Sequence, residues 1–248
     1  MAIERKISAG SYDLNKWLFG GYEKDIITTI FGPAGSGKTN FCILAAVSQS
    51  KKGNKVIYID TEGGFSVERF RQLAGEEYQE ALKNILLLKP TSFQEQKQAF
   101  LQLLKEMKSN IINLIIVDGM TMLYRLELAE AREDTEKSRE RIQEINSQLA
   151  KQMRILAEIA RKKDIPIIVT NQVYSEFLSE EEFKAGKERG VAMVGGDILK
   201  YWSKTIIELQ NNGGKKKAIL RKHRSLREKE LDFEITNNGI KKSFRIFG

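Results

Sequence analysis

A chain of 248 residues with 41% apolar content suits one large globular domain with a sizeable core, not a disordered segment. Its single cysteine, Cys42, rules out an intramolecular disulfide, and with only one histidine the chain lacks the ligand set of a structural zinc site. The formal charge of +8 lies wholly in Lys200–Gly248, where thirteen Lys/Arg face five Asp/Glu, so a polyanion partner is favoured by that segment alone.

In chain order, "MAIERKISAG" has no apolar signal core, and no apolar run reaches the about 18 residues that a membrane helix needs. Together with the lone cysteine this predicts a cytoplasmic protein without a membrane partner. "DIITTIFG" (Asp25–Gly32) predicts a buried strand, with an amphipathic helix following over about Lys38–Ser50. "KVIYID" (Lys55–Asp60), "NILLLK" (Asn84–Lys89), "NLIIVD" (Asn113–Asp118) and "IPIIVTN" (Ile165–Asn171) predict four further strands. A helix between the last two is marked by Ile142, Ile145, Leu149, Met153, Leu156 and Ile159, and ends before Pro166. Near-continuous apolar strands alternating with helices predict an α/β fold with a mostly parallel sheet covered on both faces. After Asp197, "NNGG" (Asn211–Gly214) and "NNG" (Asn237–Gly239) predict hairpins and antiparallel strands. Two polar stretches, Arg125–Glu140 and Tyr174–Gly196, read as loops, the second as a functional one.

"GPAGSGKT" (Gly32–Thr39) is a G-x-x-x-x-G-K-[ST] phosphate loop in the required strand–turn–helix context. Across Gly32, Pro33, Ala34, Gly35, Ser36 and Gly37 the glycines let successive backbone N–H groups, of which Pro33 has none, face phosphate oxygens, and the helix that follows through Lys38, Thr39 and Asn40 adds its positive end. Lys38 would reach the β/γ-phosphates and Thr39 would ligate Mg²⁺. Asp118, at the end of an apolar strand, is the candidate carboxylate on the Mg²⁺ side. "DTEGGF" (Asp60–Phe65) puts two acids at the carboxyl edge of the second strand, where Glu62 would activate a water or the acids would cap the next helix. With no N-K-x-D guanine signature, the expected cofactors are ATP and Mg²⁺.

"GGYEKDIITTIFGPAGSGKTNF", "VIYIDTEGGFSVERF", "LIIVDGMTMLYR", "PIIVTNQV" and "VGGDILKYWSKTIIEL" follow one another as in the RecA-like recombinase superfamily. The chain resembles the short archaeal paralogues of that superfamily from about Ser8 to its C-terminus. The resemblance implies a RecA-like P-loop ATPase core in one domain over 1–248, with 1–25 a short lead-in and no N-terminal helical domain. It also implies that Glu62 is the catalytic glutamate, that Arg69 stacks on adenine, and that Gln172 senses the γ-phosphate. Arg125–Glu140 and Tyr174–Gly196 then correspond to the two DNA-binding loops. Both are net negative, so they would grip a phosphate backbone poorly. Without an N-terminal domain, filament growth by the usual linker is not expected, while a homodimer is left open.

The basic stretch Lys215, Lys216, Lys217, Arg221, Lys222, His223, Arg224 and Arg227 has three readings. On a strand, Lys222 and Arg224 share one face and His223 takes the other. It is a DNA-contacting face, a set of residues reaching a nucleotide held by an adjacent subunit, or a solvated charged strand. The resulting expectation is an ATP-binding accessory protein of DNA repair and recombination with weak or conditional ATPase activity. It would bind single-stranded DNA and assist a full-length archaeal recombinase. The alternative is a nucleotide-gated regulatory ATPase that acts on partner proteins.

Overall fold

The computed structural model describes residues 5–133, 138–175 and 191–243. Ahead of the core, β1 (Lys6–Ile7) pairs antiparallel with β2 (Tyr22–Glu23) around α1 (Tyr12–Trp17). The main sheet comprises β3 (Ile27–Gly32), β4 (Lys55–Asp60), β5 (Ile85–Leu88), β6 (Ile112–Asp118), β7 (Ile167–Ser175), β8 (Val191–Met193), β9 (Ser203–Asn212), β10 (Lys215–Lys222), β11 (Lys229–Thr236) and β12 (Gly239–Lys242). Its order is β12-β11-β10-β9-β3-β7-β6-β4-β5, with β8 on β7. From β5 across to β9 the pairings are parallel, and from β9 to β12 antiparallel.

The strands lack a polar face because both faces are covered. Ile30, Tyr58, Ile116 and Ile168 pack on one side with Phe41 and Leu44 of α2 (Lys38–Ser50), Phe70 of α3 (Val67–Ala74) and Ala81 of α4 (Tyr78–Leu82). Their neighbours Ile57, Ile59, Val117 and Val169 pack on the other with Phe100 of α5 (Phe93–Ser109) and Leu149, Met153 and Leu156 of α7 (Ser138–Lys163). Helix α2 is buried around most of its circumference from Phe41 to Val47, since the antiparallel strands close over it: Phe233 of β11 meets Phe41 edge to face at 5.4 Å. That explains "FCILAAV", a run too apolar for a surface helix.

Ser92 starts α5 by accepting the Glu95 N–H at 3.1 Å, and the Glu95 carboxylate returns to the Thr91 N–H at 2.7 Å. Ser92→Ala should therefore lower the unfolding free energy by about 1 kcal/mol in denaturant titration.

Three expectations change here. Strand β3 begins at Ile27, because Asp25 takes the left-handed conformation (φ 63°) and turns the chain into the sheet. Of the expected loop Arg125–Glu140, residues through Glu133 belong to α6 (Met122–Glu133) and those from Ser138 begin α7. Leu123, Tyr124 and Ala131 give α6 a buried side, so the polar residues are the outer face of a helix. Most of the expected Tyr174–Gly196 loop lies outside the described residues, and its ends form the β7/β8 pair and the start of α8 (Gly196–Trp202).

Candidate functional site

Strand register brings the site together at the carboxyl edge. Gly32 ending β3 lies beside Gln172 of β7, and Asp60 ending β4 lies beside Asp118 ending β6. Segments separated by more than a hundred residues thereby meet at one rim, the place where open parallel sheets bind ligands.

The phosphate loop runs from Gly32 into α2, with Gly35 (φ 70°) and Gly37 (φ 109°) in conformations that side chains resist. Lys38 is buried and folds back, donating to the carbonyls of Gly32 at 2.9 Å and Pro33 at 3.0 Å. Burial pulls its pKa down, while the Glu62 and Asp118 carboxylates push it back up. Asp118 is 1% exposed yet well supplied with donors: Tyr58 Oη at 2.8 Å, Thr170 Oγ1 at 2.7 Å, and the Thr39 hydroxyl. Burial raises its pKa in spite of these donors.

Asp60 has a structural task. Its Oδ1 accepts the N–H groups of Glu62 (3.3 Å) and Gly64 (3.1 Å), and its Oδ2 that of Phe65 (3.0 Å). The turn so held presents Glu62, whose Oε2 accepts from Gln172 Nε2 at 2.9 Å. Burial raises the Glu62 pKa above its ordinary 4.5, and the Gln172 bond opposes that shift. Arg69, from α3, donates through Nε to Asn40 Oδ1 at 2.9 Å and through Nη1 to the Asn237 carbonyl at 3.4 Å. It thus bridges the phosphate-loop helix and the β11/β12 turn.

The residues fit a nucleoside triphosphate. Ser36 Oγ in the loop, Glu62 Oε1 and Arg69 Nη2 are all buried without a protein partner, around one rim. Buried polar atoms in native proteins are nearly always satisfied, so three orphans at one rim mark a place where ligand atoms belong. Thr39 and Asp118, joined by a side-chain hydrogen bond, are the pair that could hold a divalent cation. Among the described residues no group of three or more His, Cys, Asp or Glu gathers as a metal cage.

The basic stretch is divided. Lys216 Nζ donates to the Gly35 carbonyl at 2.5 Å, so it sits against the phosphate loop of its own chain. Lys217 pairs with Glu230 at 2.6 Å, and Arg221 with Glu208 at 2.6 Å and with Glu228. The continuous strand expected through Arg224 is not formed: β10 ends at Lys222 after a register shift, and His223 opens a turn. His223 Nδ1 accepts the N–H groups of Ser225 and Leu226, both at 3.1 Å, and burial lowers its pKa despite Glu23. A neutral ring accepting two backbone bonds closes a turn, which is why the alternation of faces fails there. Arg224 turns back to Asp25 at 2.8 Å and Glu23 at 3.4 Å, at the amino end of the sheet. Among the described residues Lys215, Lys222 and Arg227 form no ion pair with a carboxylate. Lys222 Nζ rests on the Lys200 carbonyl at 3.0 Å.

Sequence reasoning missed Tyr58 and Thr170, which hold Asp118, and the anchoring task of Asp60. A polar hydroxyl inside an apolar strand, as in "VIYID" and "IIVTN", was the available signal.

A phosphate loop, a strand-terminal aspartate, a glutamate held by a glutamine and a fully covered parallel sheet define a RecA-like nucleotide-binding core. The chain belongs to the Rad51 family, whose model matches residues 4–243. Its relatives include proteins named DNA repair and recombination protein RadB. That of Methanobrevibacter smithii is 41% identical over 232 residues, covering 92% of each chain. That of Methanococcus maripaludis strain C7 is 41% identical over 228 residues, 92% of this chain and 96% of the relative. That of Methanococcoides burtonii is 39% identical over 241 residues, 96% of this chain and 99% of the relative.

Proposed function

We propose that this chain is an ATP-binding accessory protein of DNA repair and homologous recombination, which binds single-stranded DNA and assists a full-length recombinase. The observation that carries the nucleotide part is the Gln172–Glu62 hydrogen bond of 2.9 Å beside Lys38 and the Thr39–Asp118 pair. The names of the RadB relatives support the repair part.

In this reading the phosphate-loop amides and Lys38 hold the β- and γ-phosphates, and Asn40 and Arg69 flank the base. Mg²⁺, when bound by Thr39 and on the Asp118 side, neutralises charge on the phosphate oxygens. Glu62 orients a water toward the γ-phosphate and takes its proton, while Gln172 holds the carboxylate in place. The Lys38 ammonium moves from the Gly32 and Pro33 carbonyls to the phosphate, exchanging two neutral acceptors for an anionic one. Hydrolysis in this reading is slow or conditional, with the Glu62 carboxylate tied through Gln172 to strand β7.

DNA contact falls to Lys215, Lys222 and Arg227, which among the described residues form no ion pair, whereas Lys216, also without a carboxylate, is committed to the Gly35 carbonyl. Labelled single-stranded DNA titrated across a salt series tests this. Lys215→Ala/Lys222→Ala/Arg227→Ala should bind more weakly, with the salt slope reduced by about 0.7 for each phosphate that is no longer neutralised. Unchanged affinity and slope would remove these residues from the DNA surface. If the unmodified protein shows no salt-sensitive binding either, the reading as a regulatory ATPase acting on partner proteins takes over.

A further inference from the structure

The amino edge of the sheet, opposite the phosphate loop, holds a cavity of about 330 Å³. It lies where α2 ends, β6 starts, the chain leaves α7, and the β1/β2 lead-in closes across. The volume is within the about 300–1,000 Å³ of small-molecule sites.

Its charge is one-sided. Lys6, Lys24, Lys52 and Lys163 line it against a single acid, Asp164. Lys6 is held by the carbonyls of Leu18 and Phe19, both at 3.1 Å, which keeps its charge in place without neutralising it. Among the described residues the Lys24, Lys52 and Lys163 ammonium groups meet no carboxylate. Lysines near helix C-termini ordinarily complement the helix dipole, and both α2 and α7 end here. Several of the carbonyls at these two ends are already bonded, however. Gln49 O accepts from Lys52 N (3.0 Å) and Asn54 N (3.2 Å), Ser50 O from Gly53 N (3.0 Å), and Ala160 O from Ile165 N (3.2 Å).

A second, independent observation comes from Gln49 in the cavity wall, which is 2% exposed. Its Oε1 accepts from Asn54 Nδ2 at 3.0 Å, but its Nε2 is buried without an acceptor. A buried amide donor among lysines lacks an acceptor, and the surrounding charge favours an anionic oxygen in that place. Ile7, Ile112 and Ile165 form an apolar floor, and Ile111 stands 83% exposed at the rim. Cationic walls with an apolar floor suit a phosphoryl group attached to a compact organic body.

We propose that this cavity binds a phosphate monoester, or phosphate itself, as a second anion site separate from the nucleotide site. Gln49 Nε2 donates to one phosphoryl oxygen, Lys24 and Lys163 neutralise the dianion, and the isoleucines cover the organic part. The ligand is either a free small phosphate ester or the 5′-phosphate of a DNA strand.

Isoleucine-methyl NMR reads the site locally, because Ile111 and Ile165 lie at the opposite edge from the phosphate loop. Inorganic phosphate and adenosine monophosphate should each shift both methyl signals saturably, and the shifts should persist in Lys38→Ala, which disables the phosphate loop. Lys24→Ala/Lys163→Ala should weaken this binding at least about tenfold. Gln49→Leu, which removes the orphaned donor and keeps the volume, should fold normally and weaken it as well. Short single strands with a 5′-phosphate or a 5′-hydroxyl separate the two sources. A shift from the phosphorylated strand alone identifies a DNA end, and a response to the small phosphates without either strand identifies a free ester. Equal shifts from both strands would overturn the proposal in favour of general backbone attraction. It is equally overturned if no saturable shift occurs, or if the shifts survive intact in Lys24→Ala/Lys163→Ala.

Discussion

Glu62→Gln is expected to lower ATP turnover by about 10²–10⁴-fold while leaving ATP binding in place. The amide keeps the shape of the side chain and can still meet Gln172 after an amide rotation, but it cannot take a proton from water. A single-turnover assay alongside fluorescent-nucleotide binding separates the two effects. Unchanged turnover would mean that Glu62 is not the base. The pH dependence has a definite sign. With Glu62 as the proposed base, turnover should fall as pH drops through its raised pKa, a limb that begins above the ordinary 4.5. Stability runs the other way. A carboxyl whose pKa is raised by folding contributes most below its unfolded value, and that contribution is lost as pH rises through the folded value. At neutral pH the ionised Glu62 is therefore a burden on the fold, and Glu62→Gln should melt higher than the unmodified chain. The stability gain comes from removing a desolvated carboxylate whose Oε1 has no protein partner, and the activity loss from removing the base.

Much of this site was legible because it is built from local signals. The phosphate loop is contiguous, helix α2 spans Lys38–Ser50 as its spacing predicts, and both NNG turns join antiparallel strands. Glu62 and Asp118 were marked by their places at strand ends, Asp118 as the carboxylate on the Mg²⁺ side, and the RecA resemblance implied the roles proposed for Glu62 and Gln172. What could not be read were contacts between segments far apart in the chain. Nothing in "VTNQV" shows that the Thr170 hydroxyl would reach Asp118, and nothing in "EKD" shows that Glu23 and Asp25 would neutralise Arg224. The alternation rule failed at His223 for a local reason, since its ring offered a closer acceptor for two backbone N–H groups than the next strand did. Arg125–Glu140 misled because the polar outer face of a helix and a polar loop have similar composition.

Gly119→Ala should cost about 2–5 kcal/mol of stability, combining left-handed backbone strain with overpacking. Gly119 has φ 95°, and a Cβ there would stand 2.3 Å from Thr61 Oγ1 and 2.7 Å from Glu62 Cγ. Nothing nearby gives way cheaply. Thr61 Oγ1 is fixed on the Gly119 carbonyl at 2.6 Å, and the Gly119 N–H donates to Thr170 Oγ1 at 2.7 Å, the same hydroxyl that holds Asp118. The residue after Asp118 is thus a spacer that lets β4 and β6 end side by side with Glu62 in reach of Gln172. Gly63→Ala is the matched control. Its φ is 69°, but nothing lies within 4 Å of the added carbon, so only the strain of about 1–2 kcal/mol should appear. Chemical denaturation of both variants reads the difference. If Gly119→Ala is no less stable than Gly63→Ala, the close approach does not constrain the site. If it is less stable, its turnover should fall with it in the fraction that remains folded, because the carbon that strains the backbone also displaces Glu62, the proposed base.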